Sequence, residues 1–347
     1  MSATNADDSR PLYVVTGGTG LVGAYLLRYL VRDGYRVRAI KRPGSRTDLT
    51  ADINDALSWV DGDLLDPLSL EDALAGADTV IHCAALVSFL PADAGQLLRV
   101  NRDGTANLVD AALYQRVRRL VHVSSVAALG RRSGGEPIDE KTAWQYDPLA
   151  PRYSYSKFQA EREIWRGQAE GLSVAAVYPS LIFGSGWWKA GTNQLFAHAD
   201  RELPFYPPGA TGMVDVRDVA RAILLLLARD RDGDRFLLNG ENISYRALLE
   251  QIAAALGRRA PRHPFRRWQA QLLLWAETLR SKITGRAPLI TTETIRNSFQ
   301  RYGYNNRHSC EELGLTYIPA AETIAETAAQ YSASKAAGRP ADVLPLR

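Results

Sequence analysis

From Pro11 onward, short apolar runs alternate with stretches of helical periodicity: LYVVTG, then GLVGAYLLRYLVRDG, then YRVRAI, and later TVIHCA, RLVHVSS and LSVAAVYP. Apolar runs of strand length separated by amphipathic helices predict strands buried on both faces, that is, a parallel sheet with helices on each side. This α/β unit spans residues 11–180. Beyond it come Gly/Pro-rich loops (SGWWKAGT, PFYPPGATG), the helix VRDVARAILLLLARD, the short strand RFLLNG and the helix SYRALLEQIAAALG. Residues 212–240 are expected to return to the sheet. Residues 181–211 and 241–330 should form a smaller, mostly helical unit over its carboxyl edge. The polar, small-residue end 331–347 reads as a flexible tail.

Within the first unit, LYVVTGGTGLVG sets Gly17, Gly20 and Gly23 between a buried strand and a helix. Glycines there allow a tight turn, close approach to a pyrophosphate and packing of helix on strand, while the helix amino terminus attracts the anion. Strand, loop and helix in this order predict a doubly wound Rossmann sheet that binds a dinucleotide, rather than a ligand-free turn. Leu21 and Val22 complete the loop. In NAD-binding units an acidic residue after the second strand holds the ribose 2'-hydroxyl. Here that strand ends AIKRPGSR, so Lys41 and Arg42 stand ready for a 2'-phosphate and NADP(H) is favoured, with NAD(H) the alternative.

Composition narrows the chemistry. The 347 residues are 46% hydrophobic and 23% charged, an ordinary globular balance. Cys83 and Cys310 are too few for a disulfide framework, and the five histidines lack metal-ligand spacing, so no metal is expected. A net charge of +4 is scattered and comes with no nucleic-acid motif. The start MSATNADDSRP has no apolar signal core and no run reaches membrane-spanning length, which makes the cytoplasm the expected compartment.

Residues 153–157 read YSYSK, followed by the helical pattern FQAEREIWRGQAEG. On a helix Tyr153 and Lys157 share a face and Tyr155 does not. A lysine ammonium beside a phenol favours the phenolate, which suits Tyr153 to acid/base work. At the end of RLVHVSS, Ser124 and Ser125 point to opposite faces of a strand, so only one of them can reach such a site.

The ordered set TGGTGLVG, GDLLD, HCAALV, VNRDGTANL, HVSS and YSYSK resembles the extended short-chain dehydrogenase/reductase family, closest to its dihydroflavonol-reductase and 3β-hydroxysteroid-dehydrogenase branch and to NAD-dependent epimerase/dehydratase proteins. The likeness runs over about residues 11–330. It implies that Gly17, Gly20 and Gly23 hold the pyrophosphate, that Asp63 and Leu64 meet the adenine, and that Ala84 and Ala85 line the cofactor. Asn101 would support the active-site helix, and the backbone of Tyr178, Pro179 and Ser180 would meet the nicotinamide amide. It also selects Ser125 over Ser124, five residues before the glycine matched by Gly130. Ser125, Tyr153 and Lys157 are then the catalytic set: Tyr153 the general acid/base, Lys157 a holder of the nicotinamide ribose and Ser125 a hydrogen-bond donor to the substrate oxygen. Val87, Leu181, Trp187, Trp188, Phe205 and Tyr206 are candidate substrate contacts, with packing as the alternative for the aromatic ones.

Three readings follow from this likeness. The first is an NADP(H)-dependent oxidoreductase acting on a ketone, aldehyde or secondary alcohol. The second is a nucleotide-sugar epimerase or dehydratase that keeps its nicotinamide bound, and the third a cofactor-binding assembly protein with idle chemistry. Nucleotide-sugar members carry an asparagine where this chain has Leu181 and an arginine where it has Thr211, which favours a small, uncharged or hydrophobic carbonyl substrate. Arg217 and the arginines after Gly257 are the residues able to replace the missing cation. A homodimer is left open. The stretch RRAPRHPFRRWQAQLLLWAETLRSKITGR is expected to be a helix packed on its own domain, with contact to an anionic membrane surface as the minor alternative.

Overall fold

A computed structural model describes residues 10–131, 136–147, 150–284, 291–338 and 342–347. Residues 1–9, which hold most of the polar start, and 339–341 of the expected tail lie outside them. Twelve strands are present among the described residues: β1 Leu12–Thr16, β2 Arg36–Lys41, β3 Ser58–Asp61, β4 Thr79–His82, β5 Arg119–Val123, β6 Ser173–Pro179, β7 Leu181–Phe183, β8 Phe205–Tyr206, β9 Ala210–Asp215, β10 Asp234–Leu238, β11 Glu241–Ser244 and β12 His263–Pro264. The helices are α1 Leu21–Arg32, α2 Pro67–Leu74, α3 Ala94–Leu98, α4 Gly104–Tyr114, α5 Arg152–Ala169, α6 Gln194–Asp200, α7 Val216–Arg229, α8 Tyr245–Ala255, α9 Arg267–Thr284, α10 Thr292–Phe299, α11 Arg307–Leu313 and α12 Ala320–Ala337.

Seven strands form one parallel sheet in the order β10-β6-β5-β4-β1-β2-β3. The chain reverses its direction of travel between β1 and β4, so a crevice opens there at the carboxyl ends of the strands. Val14 and Val15 point to opposite faces and both are fully buried, because each face carries a helical layer. On one face Tyr25, Leu26 and Leu30 of α1 pack with Val219, Ile223 and Leu226 of α7. On the other, Leu70 and Leu74 of α2 meet Leu108 and Val109 of α4 and Ile164 of α5. Of residues 212–240, those up to Asp215 belong to β9 in a separate sheet, while α7 lies against α1 and β10 is the edge strand beside β6. Local chemistry sets several helix starts. Asp66 caps α2 ahead of Pro67, Asp215 caps α7 and Ser244 caps α8.

The smaller unit combines the three-stranded sheet β11-β9-β7 with α6, α8 and α12 around Phe183, Phe196, Ile252 and Ile324. Two expectations change here. The end of the chain is not a loose tail: α12 runs to Ala337, and Leu344 is 1% exposed within the α1 side of the core. Its N–H donates to the Tyr25 hydroxyl at 2.7 Å, and the Arg347 N–H donates to that of Tyr29 at 3.1 Å. Val343, Leu344 and Leu346 supply enough apolar surface to hold the segment down. The basic stretch is helical as α9, but Trp268, Leu272 and Trp275 face solvent rather than the domain.

Candidate active site

The glycine loop is closed against its own backbone. Gly17 has φ +71°, and a Cβ there would stand 2.6 Å from the Ala84 nitrogen; a Cβ on Gly23 would stand 2.2 Å from the Gly17 oxygen. Only glycine fits either position. Gly20 precedes α1 and no side chain caps that helix, so the first amide N–H groups at Leu21, Val22 and Gly23 have no capping acceptor. An uncapped helix start beside a backbone-lined cradle suits a diphosphate. Ala84 closes the cradle, its N–H donating to Thr16 Oγ1 at 3.3 Å, and Ala85 beside it is exposed. Asp63 accepts the Leu65 N–H at 2.9 Å, and the Leu64 carbonyl accepts from Asn107 at 2.8 Å, which fixes the turn after β3.

The two cations after β2 differ. Lys41 is paired with Asp61 of the adjacent strand at 2.6 Å, because the parallel register sets the two residues side by side. Arg42 is exposed, and no ion pair involves it among the described residues. Sequence reasoning passed over Arg46, whose guanidinium lies 4.7 Å from the centre of the Trp187 ring and pairs with Asp48. The Trp187 indole in turn donates to Thr19 O at 3.3 Å. Trp187 therefore joins the basic loop to the glycine loop.

At the other side of the crevice, α5 carries Tyr153 and Lys157 one turn apart. Ser125, at the carboxyl end of β5, lies beside the tyrosine hydroxyl. Crowding by protein pushes the Tyr153 phenol up to about 12, although its ring keeps some contact with solvent, and Ser125 draws it back in part. The expected depression by Lys157 is absent in this arrangement. The Lys157 ammonium instead donates to Val123 O at 3.0 Å, and burial lowers it to about 8 against the opposing pull of Glu161. Ser125 Oγ accepts the Ala127 N–H at 3.1 Å, whereas Ser124 lies on the opposite strand face, 3.3 Å from Glu161. The strand alternation thus separates the two serines as their adjacency required.

Two supports complete the site. Asn101 sits in a π-helical turn, Arg99–Asp103, and donates to Ser156 Oγ of α5 at 2.9 Å while accepting the Leu86 N–H at 2.7 Å. It therefore ties α5 to the loop after β4. Glu161, one turn beyond Lys157, was missed in the sequence; its helical spacing from Lys157 was the available signal. It accepts from Tyr178 at 2.7 Å, Trp165 at 3.0 Å and Arg235 at 2.7 Å. The Tyr178 side chain is thereby committed to the sheet interior. The Ser180 N–H is committed to Leu238 O at 2.9 Å, which leaves the buried Ser180 hydroxyl as the side-chain group without a protein partner at this strand end.

The candidate substrate contacts separate. Val87 is exposed, and the neighbouring Phe89 packs edge-on to Tyr153 at 5.9 Å, forming an apolar lip beside the phenol. Leu181 faces the cap core. Trp188 is cap packing, against Tyr331 at 5.2 Å and Phe196 at 6.1 Å, because α6 and α12 enclose it. Phe205 and Tyr206 form the short β8–β12 ladder, where Phe205 meets Phe265 at 5.9 Å. Thr211 is buried next to Tyr245 and Tyr304. Arg217 is 1% exposed and locked to Asp215 and Glu326, both at 2.6 Å. Arg258 and Arg259 pair with Asp200 and Glu202. A charged cavity of about 460 Å³ lies elsewhere, between β10 and α11, and includes none of Ser125, Tyr153 and Lys157. Among the described residues no cluster of His, Cys, Asp or Glu is arranged to hold a metal ion, and no helix is long and apolar enough to cross a membrane.

A family model for the NAD dependent epimerase/dehydratase family matches residues 13–238. Sterol demethylase protein B of Methylococcus capsulatus is 33% identical over 92% of this chain and 97% of its own length. Cinnamoyl-CoA reductase 1 of Oryza sativa subsp. japonica is 31% identical over 75% of this chain and 79% of its own. The crystal structure of gox2253 superposes with a TM-score of 0.81 at 29% identity, covering 95% of this chain and all of that one. With the glycine cradle at the β1–β4 switch point and Ser125, Tyr153 and Lys157 gathered at the same edge, the chain belongs to the NAD dependent epimerase/dehydratase family and is an NAD(P)-dependent oxidoreductase of the extended short-chain dehydrogenase/reductase type.

Proposed function

We propose that the protein is an NADP(H)-dependent reductase of an uncharged, largely apolar ketone or aldehyde. The observation that carries this reading is the buried Thr211 with Arg217 locked away. Thr211 stands where the resemblance implies an arginine in nucleotide-sugar members, and Arg217, one of the candidate replacements, is buried in a fork with Asp215 and Glu326. A diphosphate there would lack the charge-assisted bonds that normally hold it. The apolar lip of Val87 and Phe89 beside Tyr153 supports a hydrophobic substrate.

The glycine cradle, the uncapped start of α1 and the unpartnered Ser180 hydroxyl fit a nicotinamide dinucleotide. Arg42, with Arg46 anchored on Trp187, would hold a 2'-phosphate. A reduced nicotinamide bound there would supply a hydride to the carbonyl carbon. Tyr153, protonated at neutral pH, gives its proton to the carbonyl oxygen, and Ser125 donates a hydrogen bond to that oxygen. Lys157, charged near neutrality, would hold the nicotinamide ribose, the role that the family resemblance implies for it. The names of the two relatives, a cinnamoyl-CoA reductase and a sterol demethylase protein, accord with reduction and with a sterol skeleton respectively.

The test is parallel. Purified protein is given NADPH and a panel of apolar ketones and aldehydes, and calorimetry with UDP and dTDP is run on the cofactor-loaded protein. Reduction without nucleotide binding is expected; micromolar binding of either nucleotide would overturn the substrate class in favour of the epimerase/dehydratase reading.

A further inference from the structure

The helix α9 packs with its less apolar side inward. At roughly 100° per residue, Ala270, Leu274 and Glu277 share one face. Ala270 is 1% and Glu277 9% exposed, so this face lies against the protein. Trp268, Leu272 and Trp275 lie about half a turn away and are 58%, 59% and 69% exposed. Two tryptophans and a leucine in one solvent-facing row are far from the scattered single apolar residues normal on a protein surface. Phe205, also exposed, touches Phe265 just before the helix, and the Phe265 N–H donates to Tyr206 O at 2.8 Å, so the strip continues onto β8.

Charge identifies the occupant. Arg262, Arg266 and Arg267 are exposed at the start of this helix, and among the described residues none of their side chains is in an ion pair. Their neighbours Arg258 and Arg259 are neutralised by Asp200 and Glu202. Unneutralised arginines next to an exposed tryptophan face match an anionic lipid surface, where the rings enter the headgroup boundary and the guanidinium groups meet phosphate. The helix lies on such a surface rather than through it, since no described helix has the length and apolarity to cross.

We propose that α9, with the adjoining β8 segment, is an interfacial docking face for anionic membranes. The inference is independent of the reaction assigned above. The experiment is co-sedimentation of the full-length protein with phosphatidylcholine vesicles and with phosphatidylcholine/phosphatidylglycerol vesicles at low and at 0.5 M salt. Binding to the mixed vesicles at low salt, at least tenfold stronger than to the neutral ones and lost at high salt, is expected. Arg266→Glu/Arg267→Glu should weaken it at least tenfold, and so should Trp268→Ser/Trp275→Ser, with the circular dichroism and melting of both variants retained. Absence of binding at low salt, or binding unaffected by both variants, would overturn the proposal. So would a wild-type dimer in analytical ultracentrifugation that the tryptophan variant dissolves, because the face would then be occupied by a second copy.

Discussion

Lys157 is the most demanding side chain in the site to bury, and its cost is measurable. Its ordinary pKa of 10.5 falls to about 8 on burial at 2% exposure. At about 1.4 kcal/mol per unit, holding it charged in the folded protein costs about 3 kcal/mol relative to a side chain that does not titrate. The folded state has the lower pKa, so between pH 8 and 10.5 the unfolded chain binds more protons and wild-type stability rises with pH. Below pH 8 the full penalty is present; by pH 9.5 about 2 kcal/mol of it is relieved. Lys157→Met removes the charge but also the hydrogen bond to Val123 O, a loss of about 1 kcal/mol. The variant should therefore be about 2 kcal/mol more stable than wild type at pH 7 and no more stable at pH 9.5, while losing turnover. Urea melts of both proteins at the two pH values measure the difference, and tyrosine titrations common to both cancel. A stability difference that does not change between pH 7 and 9.5 would refute the assignment of Lys157 as a buried, partly desolvated cation.

Three further outcomes are expected. Tyr153→Phe should lower turnover at least a hundredfold with cofactor affinity nearly intact, while Tyr155→Phe, off the Lys157 face, should be mild; steady-state kinetics and cofactor titration check both. Arg42→Ala should weaken NADPH about tenfold or more and NADH little, since a charge-assisted bond to phosphate contributes about 1.5–3 kcal/mol, and fluorescence titration with the two cofactors reads the ratio. Leu344→Ala should cost about 2–4 kcal/mol in a urea melt, whereas a loose tail would give no change.

The parts legible in the sequence are those in which the partners lie close together along the chain. Tyr153 and Lys157 face the same way because a helix repeats every 3.6 residues, and Ser124 and Ser125 part because a strand alternates. Gly17 and Gly23 were legible for the same reason: the clash that forbids a side chain at Gly23 comes from the backbone of Gly17 itself. The switch from buried runs to amphipathic helices was enough for the sheet.

Tertiary structure decided everything that depended on a distant partner. Glu161 draws Tyr178 from β6 and Arg235 from β10, and nothing near Glu161 in the chain announces either. Lys41 loses its freedom to Asp61 through the β2–β3 register, and Trp187 and Trp188, adjacent in sequence, go to the glycine loop and the cap core. The end of the chain is held by hydroxyls of Tyr25 and Tyr29, more than 300 residues earlier. The direction of α9 was undecidable from periodicity, because a hydrophobic repeat reports that two faces differ and not which one finds a partner. Side-chain periodicity is a property of the backbone and travels with the sequence; burial is a property of what folds against it, and among the described residues nothing buries Trp268 or Trp275.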